Sequence, residues 1–387
     1  MRRALLVAGE SSGDLHGSLL ARELQRRAPD LELFGVGGRE MEAAGVELIL
    51  RSEELSVVGL LEVLEVLPRI LRAYETVQAA LAERRPDVFV PIDFPDFNFR
   101  LLPRAYRLGI PTAYYVSPQV WAWRLGRIAW LKRYVRRMIV IFPFEKQLYE
   151  SRGVPVSWVG HPLVDRIAPA DGGARGREDR RRALGLDPGR PVVALLPGSR
   201  RSEVARIEPV LRETRERIDQ GRREAGREPV QWLVGRAPGL PDGLLDRLTP
   251  PAAAPAGIPP GGREALEAAD LALVASGTAT LEASLLGTPV IVVYRMHPLT
   301  YAIARRLVRV DRIAMANLVA GERVVPEFVQ DAAVPAAIAG EALRLLDHPE
   351  ELGRIRGELI RARERLGPPG AAGRAAEAVL EVMEEAR

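Results

Sequence analysis

The stretch Pro91-Ile-Asp93-Phe-Pro-Asp96-Phe-Asn98 holds two carboxylates three residues apart, each followed by a phenylalanine. It closes an apolar run that reads as a buried strand. Both acids therefore fall at a strand end, where open α/β sheets bind ligands. Apolar neighbours tune a carboxylate, and such a group accepts a proton from a substrate hydroxyl. Asp93 is the first candidate for that base. Asp96 is a second, although with Pro95 before it in the turn it also suits a helix N-cap. Glu10 is a third, in the loop Gly9-Glu10-Ser11-Ser12-Gly13-Asp14 between a first strand and a first helix. The small residues Gly9, Ser11 and Ser12 leave backbone N–H groups open to an anion or a sugar hydroxyl. The same loop also fits a tight turn with Ser12 as N-cap. Its glycines do not have the dinucleotide spacing.

Two further turns suit a nucleotide diphosphate. Pro197-Gly198-Ser199-Arg200 gathers backbone N–H groups, a hydroxyl and a guanidinium fork. Ser276-Gly277-Thr278-Ala279-Thr280 makes a second anion cradle, and Glu282 one turn later accepts hydrogen bonds from a ribose diol. No Walker lysine is present, which disfavours an NTPase. A third region, Tyr115-Val-Ser117-Pro-Gln-Val-Trp121-Ala-Trp123-Arg124, adds Ser117, Trp121 and Arg124 as substrate-facing residues. From Arg124 to Arg137 the chain carries six positive charges and Trp130 with no acid. That run suits anionic lipid headgroups or a nucleic-acid backbone, and equally a solvated helix face. The apolar stretch Val57–Leu67 fits either a lipid-facing surface or an ordinary core helix.

Elements must place these turns. Strands are expected at Ala4–Ala8, Leu31–Gly35, Asp87–Ile92, Thr112–Val116 and Met138–Ile141, with helices between them, the first over Leu15–Arg27. A long helical stretch, Val58–Arg85, should kink at Pro68. The alternation argues for a parallel sheet covered on both faces. His161–Arg175, rich in Pro and Gly and then in charge, reads as a linker. The pattern then restarts with strands at Pro191–Leu195, Val230–Val234, Leu271–Ala275 and Pro289–Val293 and helices at Glu203–Arg222 and Thr278–Leu286. Thr249–Gly262, with five prolines, should be a surface loop. Residues 332–387 read as helical with a break at Gly367–Gly370.

Composition bounds the chemistry. The 387 residues are 47% hydrophobic and 27% charged, ordinary values for a folded protein of two or three domains. There are no cysteines, so thiolate nucleophiles, thiolate metal sites and disulfides are excluded. The four histidines are scattered, so no metal site is expected. Net charge is only +4, with 53 of the 55 basic residues arginine. No run of 18 apolar residues free of charge suggests a membrane span.

Seven strings occur in order: Val7-Ala-Gly-Glu-Ser-Ser-Gly-Asp14, Asp93-Phe-Pro-Asp-Phe-Asn98, Val116-Ser-Pro-Gln-Val-Trp-Ala-Trp-Arg124, Phe142-Pro-Phe-Glu145, Val159-Gly-His-Pro162, Leu196-Pro-Gly-Ser-Arg200 and Ala275-Ser-Gly-Thr-Ala-Thr-Leu-Glu282. Together, from Leu5 to about Val329, the chain resembles the lipid-A-disaccharide synthase family. The resemblance implies an α/β GT-B fold: two Rossmann-like doubly wound parallel-sheet domains with a cleft between them. It implies an acceptor and lipid domain over 1–165, a linker over 166–185, a UDP-sugar domain over 186–345, and C-terminal helices over 346–387. Those helices would pack back on the N-terminal domain or on a partner subunit in a homodimer. The activity implied is inverting transfer of 2,3-diacylglucosamine from UDP to 2,3-diacylglucosamine 1-phosphate, giving a β-1,6 link and UDP. Asp93 falls on the family's essential acid, Arg200 on the arginine after Pro-Gly-Ser, and Glu282 where related enzymes hold the ribose. Asn317 falls in a family string near the nucleotide. Thr249–Gly262 departs from the family pattern and bears on the uracil contacts. No cofactor and no metal are expected, nor nucleic acid as a partner. The expected place is the cytoplasm, peripherally on the inner membrane and touching its anionic surface. The competing readings are a UDP-N-acetylglucosamine 2-epimerase on the same fold and a non-enzymatic RNA- or membrane-binding module.

Overall fold

A computed structural model describes residues 2–52, 63–120, 125–167, 173–237, 240–241, 243–249, 261–296, 301 and 312–386. Val57–Leu61, Trp121, Trp123, Arg124 and the proline-rich stretch 250–260 lie outside the described residues. The chain forms two compact units. One comprises Met1–Asp165 with Leu366–Arg387, the other Arg166–Arg365.

In the first unit the strands are β1 (Arg2–Ala8), β2 (Leu31–Gly37), β3 (Glu47–Arg51), β4 (Val88–Ile92), β5 (Ala113–Tyr115), β6 (Arg137–Val140) and β7 (Val156–Trp158). They form one parallel sheet in the order β3-β2-β1-β4-β5-β6-β7. The central strands are buried along their length, as Ala4–Ala8 at 0% exposure shows, so they read as continuous apolar runs without alternation. Helices α1 (Ser11–Arg27), α2 (Arg39–Ala43), α3 (Val63–Arg84) and α4 (Pro95–Arg107) follow successive strands. Pro68 lies inside α3, which continues through it. On α1, Leu20 and Leu24 are buried as the periodicity predicts, while Leu15 and Leu19 are only half-buried. The remaining buried positions are Gly13, Asp14, His16, Gly17, Ser18 and Ala21. Small residues are needed on this face because a Cβ on Gly17 would lie 2.5 Å from Met41 Sδ.

In the second unit β8 (Val192–Leu196), β9 (Gln231–Val234), β10 (Leu271–Ala275), β11 (Val290–Tyr294) and β12 (Glu327–Val329) form a parallel sheet in the order β12-β11-β10-β8-β9. Both sheets reverse their strand order once, between β1 and β4 and between β8 and β10. Such switch points open a crevice at the carboxyl ends of the strands.

Three strands escape the sequence pattern. β3, β7 and β12 lie at sheet edges and are only partly buried, so they carry no continuous apolar run. The charge-dense run expected as a linker over 166–185 contains a packed helix, Gly173–Ala183. Its Arg181 is 6% exposed, donates Nε to Ala268 O at 2.9 Å and Nη1 to Pro188 O at 3.0 Å, and pairs with Asp270 at 2.6 Å. A buried guanidinium that donates to two carbonyls and pairs with a carboxylate docks the segment onto its own unit. The C-terminal stretch 346–387 is divided between the units. Helix Pro349–Glu364 belongs to the second, and helix Ala371–Glu384 lies against α1 of the first. Asp165 anchors the latter by accepting from Gly370 N at 2.6 Å and Ala371 N at 3.1 Å. Arg374 adds Nε to Val159 O at 2.9 Å.

Candidate active site

At the first switch point Ala8 pairs with Ile92, so the next residues, Gly9 and Asp93, leave the sheet side by side. The Phe94 ring lies across Gly9, filling the space any Cβ there would need. Asp93 and Phe94 both take left-handed backbone, with φ of 46° and 49°. Non-glycine residues in that region cost of order 1–3 kcal/mol each and persist where the surroundings hold them. Here Asp93 N donates to Tyr115 O at 3.1 Å. Asp93 O accepts from Asn98 Nδ2 at 2.8 Å and from Tyr114 Oη at 2.7 Å. Phe94 stacks on Phe97, centroids 5.4 Å apart. The neighbouring strand ends the same way, Val116 having φ of 58° with its N–H on Ile139 O at 3.0 Å. Asp93 is half-buried on this pinned elbow, and Glu10, the residue after Gly9, is exposed.

Other candidates are placed differently. Asp96 is not an N-cap: Phe94 holds that position and Pro95 opens the helix. Its side chain is 72% exposed and accepts from Arg127 Nη2 at 2.9 Å. Ser12 is not an N-cap either, because α1 begins at Ser11 after Glu10. The loop's last acid, Asp14, is committed internally and accepts from Gly38 N at 2.7 Å and from Glu40 N and Met41 N at 3.0 Å. Ser117 is buried, donating Oγ to Pro118 O at 3.0 Å with Tyr149 Oη at 2.7 Å. Its hydroxyl holds the turn together.

The basic run is not one face. Arg127 pairs with Asp96 and Arg133 lies over the Tyr134 ring at 5.3 Å. Arg136 and Arg137 turn instead to the C-terminal helix, reaching Glu385 at 3.3 and 2.9 Å. The reason is that the helix Arg127–Tyr134 ends before them and Arg137 begins β6.

The fold also unites residues that no local pattern linked. His16 of α1 and His161, after β7, stand with ring centroids 5.8 Å apart, and Tyr115 lies 6.4 Å from His16. Burial, and then the neighbouring His16, hold His161 well below the ordinary histidine range, so its ring is neutral. His16 lies inside α1 and His161 in the turn after β7, and no local pattern along the chain ties the one to the other. Among the described residues no three His, Asp or Glu side chains converge as a metal site requires.

In the second unit Leu196 pairs with Val274, so the Pro197–Arg200 turn and the Ser276–Thr278 turn flank one switch point. Gly198 has φ of 122°, which favours glycine, and the Glu203 carboxylate accepts from Ser199 N at 3.0 Å. Arg200 is the exposed N-cap of helix Arg201–Glu224. Gly277, Thr278 and Ala279 open helix Thr278–Leu286 with free space around Gly277. Thr280 is fully buried and its hydroxyl donates to Gly277 O at 2.8 Å, so it shapes the turn. Burial raises Glu282 above the usual carboxylate range, opposed by Arg166 and Arg263. Asn317 departs most from expectation. It is fully buried and its amide is fully used. Nδ2 donates to Val325 O at 2.9 Å and Glu327 Oε1 at 2.7 Å, and Oδ1 accepts from Val324 N at 2.8 Å and Val325 N at 2.9 Å. No hydrogen-bonding capacity remains for a nucleotide.

Two doubly wound units, each with loops converging at one switch point, define the GT-B class of fold. Solved structures agree. Acinetobacter baumannii MurG superposes with a TM-score of 0.58 at 14% identity, covering 98% of this chain and all of that one. The UDP-GlcNAc 2-epimerase of Neisseria meningitidis, bound to UDP-GlcNAc, gives 0.60 at 13% identity over 99% of this chain and all of that one. The fold alone therefore does not separate transferase from epimerase. Sequence relatives do. The profile of the lipid-A-disaccharide synthetase family matches residues 4–380. Lipid-A-disaccharide synthase of Geobacter metallireducens is 44% identical over 391 residues, covering 100% of this chain and 98% of the relative. That of Myxococcus xanthus is 42% identical over 386 residues, with 100% and 98% covered. The chain belongs to the lipid-A-disaccharide synthetase family, and it is a glycosyltransferase.

Proposed function

We propose that the protein condenses UDP-2,3-diacylglucosamine with 2,3-diacylglucosamine 1-phosphate, forming a β-1,6 link with inversion and releasing UDP. The observation that carries this reading is the whole-length relationship to synthases at 44% identity; the pinned elbow of Asp93 at the carboxyl end of β4 supports its use as the base. Asp93 takes the proton of the acceptor's 6-hydroxyl as that oxygen attacks the donor's anomeric carbon. The bond to the diphosphate breaks on the opposite face. Arg200 and the helix N-terminus at Gly277–Ala279 neutralise the leaving UDP through a guanidinium fork and oriented N–H groups. Glu282 accepts from the ribose. No metal takes part in this scheme.

Acylated substrates are insoluble, so the enzyme meets them at a bilayer. Leu71 (47% exposed), Tyr106 (58%) and Trp130 (43%) supply interfacial contacts on α3, α4 and helix Arg127–Tyr134. Arg133 supplies attraction to anionic lipid. Among the described residues no helix is long and apolar enough to cross a membrane.

The test is UDP release from the diacyl donor, measured with and without the acylated sugar phosphate. Release only with both present supports the reading. Interconversion of UDP-N-acetylglucosamine, without release, would establish the epimerase instead.

A further inference from the structure

Asp96, in the first turn of α4, is an acid that the proposed mechanism leaves unused. It borders a surface recess of about 400 Å³ whose other lining residues are Phe99, Arg100, Gly126, Arg127 and Trp130. We propose that this recess receives the phosphomonoester of the acceptor and that Arg127 selects for it; this rests on the acceptor named above.

The recess carries two guanidinium groups against one carboxylate. Arg127 is held in place from two sides, with its guanidinium carbon 4.9 Å from the Phe99 ring centroid and Nη2 on Asp96 at 2.9 Å. A stacked, planar fork suits a phosphate better than a mobile ammonium does. Arg100 is exposed and makes no ion pair among the described residues. Trp130, fixed by Nε1 on Phe99 O at 3.4 Å, forms a flat apolar wall suited to the face of a sugar. Position supplies the remaining argument. Asp96 lies three positions after Asp93, so their Cα atoms lie at most about 11 Å apart, and the left-handed turn at Phe94 shortens that span. One hexose bridges such a distance, with its 6-hydroxyl at Asp93 and its anomeric phosphate at Arg127. Asp96 then serves as the counter-ion that keeps Arg127 oriented while the recess is empty.

The experiment measures UDP release in detergent micelles with two acceptors, diacylglucosamine 1-phosphate and the same sugar without its phosphate. For the wild type, removing the phosphate lowers kcat/KM about 10–100-fold, the worth of charge-assisted hydrogen bonds. Arg127→Gln loses that factor on the phosphorylated acceptor, chiefly through KM, and almost nothing on the other. Arg127→Lys recovers part of the loss. Asp96→Asn lowers KM for the phosphorylated acceptor by releasing the guanidinium. Equal losses on both acceptors, or wild-type indifference to the phosphate, overturn the subsite. Arg127→Gln that weakens binding to phosphatidylglycerol vesicles but leaves the phosphate preference intact assigns the recess to lipid headgroups and also overturns it. Wild type that releases UDP with neither acceptor overturns the transferase substrates themselves.

Discussion

Replacing Asn317 separates a structural amide from a nucleotide contact. Asn317→Ala removes the acceptor of Val324 N and Val325 N, the donor to Val325 O, and one of the donors to Glu327. Each buried group left unmade costs about 1–3 kcal/mol, and water entering the vacated space offsets part of the sum. A net loss of about 3–5 kcal/mol follows, in the range reserved for broken buried networks. Asn317→Asp is more informative. It keeps both acceptor contacts but sets a carboxyl 2.7 Å from Glu327, whose oxygens already accept from Ile313 N at 3.1 Å and Ala314 N at 3.0 Å. Burial and the neighbouring carboxylate raise its folded-state pKa above the unfolded value of about 3.9. A raised pKa stabilises below the unfolded value and that stability is lost as pH rises. The variant should therefore approach wild type near pH 4 and weaken towards pH 7, by about 1.4 kcal/mol for every tenfold difference in acidity between its folded and unfolded carboxyl. Urea unfolding read from Trp232, which is 4% exposed and the only tryptophan of the second unit, measures both variants across pH. A loss under about 1 kcal/mol for Asn317→Ala, or a pH-independent Asn317→Asp, refutes the structural assignment. A raised KM for the donor with unchanged stability returns Asn317 to the nucleotide.

Asp93→Asn should lower turnover by about 10²–10⁴, with UDP affinity nearly unchanged by calorimetry; near-full turnover would pass the role of base to Glu10. Arg200→Lys should cost about 10–100-fold in kcat/KM, because a point charge cannot replace a fork, and chelator should leave the wild-type rate unaltered; Mg²⁺ rescue of a chelated enzyme would contradict this. Gly9→Ala should destabilise by about 1–3 kcal/mol through its clash with the Phe94 ring, and Phe94→Leu should relieve part of that in the double variant; additive effects in a thermal denaturation series would disprove the coupling. His161 is held below its ordinary value of 6.5, so the folded chain binds fewer protons than the unfolded one. Its contribution is present above pH 6.5 and is lost on acidification. His161→Gln should flatten the fall in urea midpoint between pH 7 and 5.

Much of the reactive inventory was legible along the chain because its signals are local. Apolar runs ending in Gly9, Asp93, Pro197 and Ser276 announce strands followed by turns, and small or acidic residues at those ends follow from what a strand-to-helix turn can accommodate. Which turns meet was decided by strand order. Ala8 beside Ile92 and Leu196 beside Val274 are pairings between distant segments, and nothing in a period of 2 or 3.6 residues encodes them. The same holds for His16 against His161, for Arg137 drawn to Glu385, and for a C-terminal helix returning to α1. Asp96 and Asn317 mark the limit most clearly. Both have the residue type a site would use. One became an exposed partner of Arg127 because the Phe94 elbow starts α4 two residues earlier than a cap at Asp96 would. The other became a buried bracket because Val324, Val325 and Glu327 close around its amide. Residue type and spacing supply the chemical groups. Burial and long-range pairing, which must satisfy nearly all the buried polar atoms of the folded chain at once, decide which of those groups are left to act.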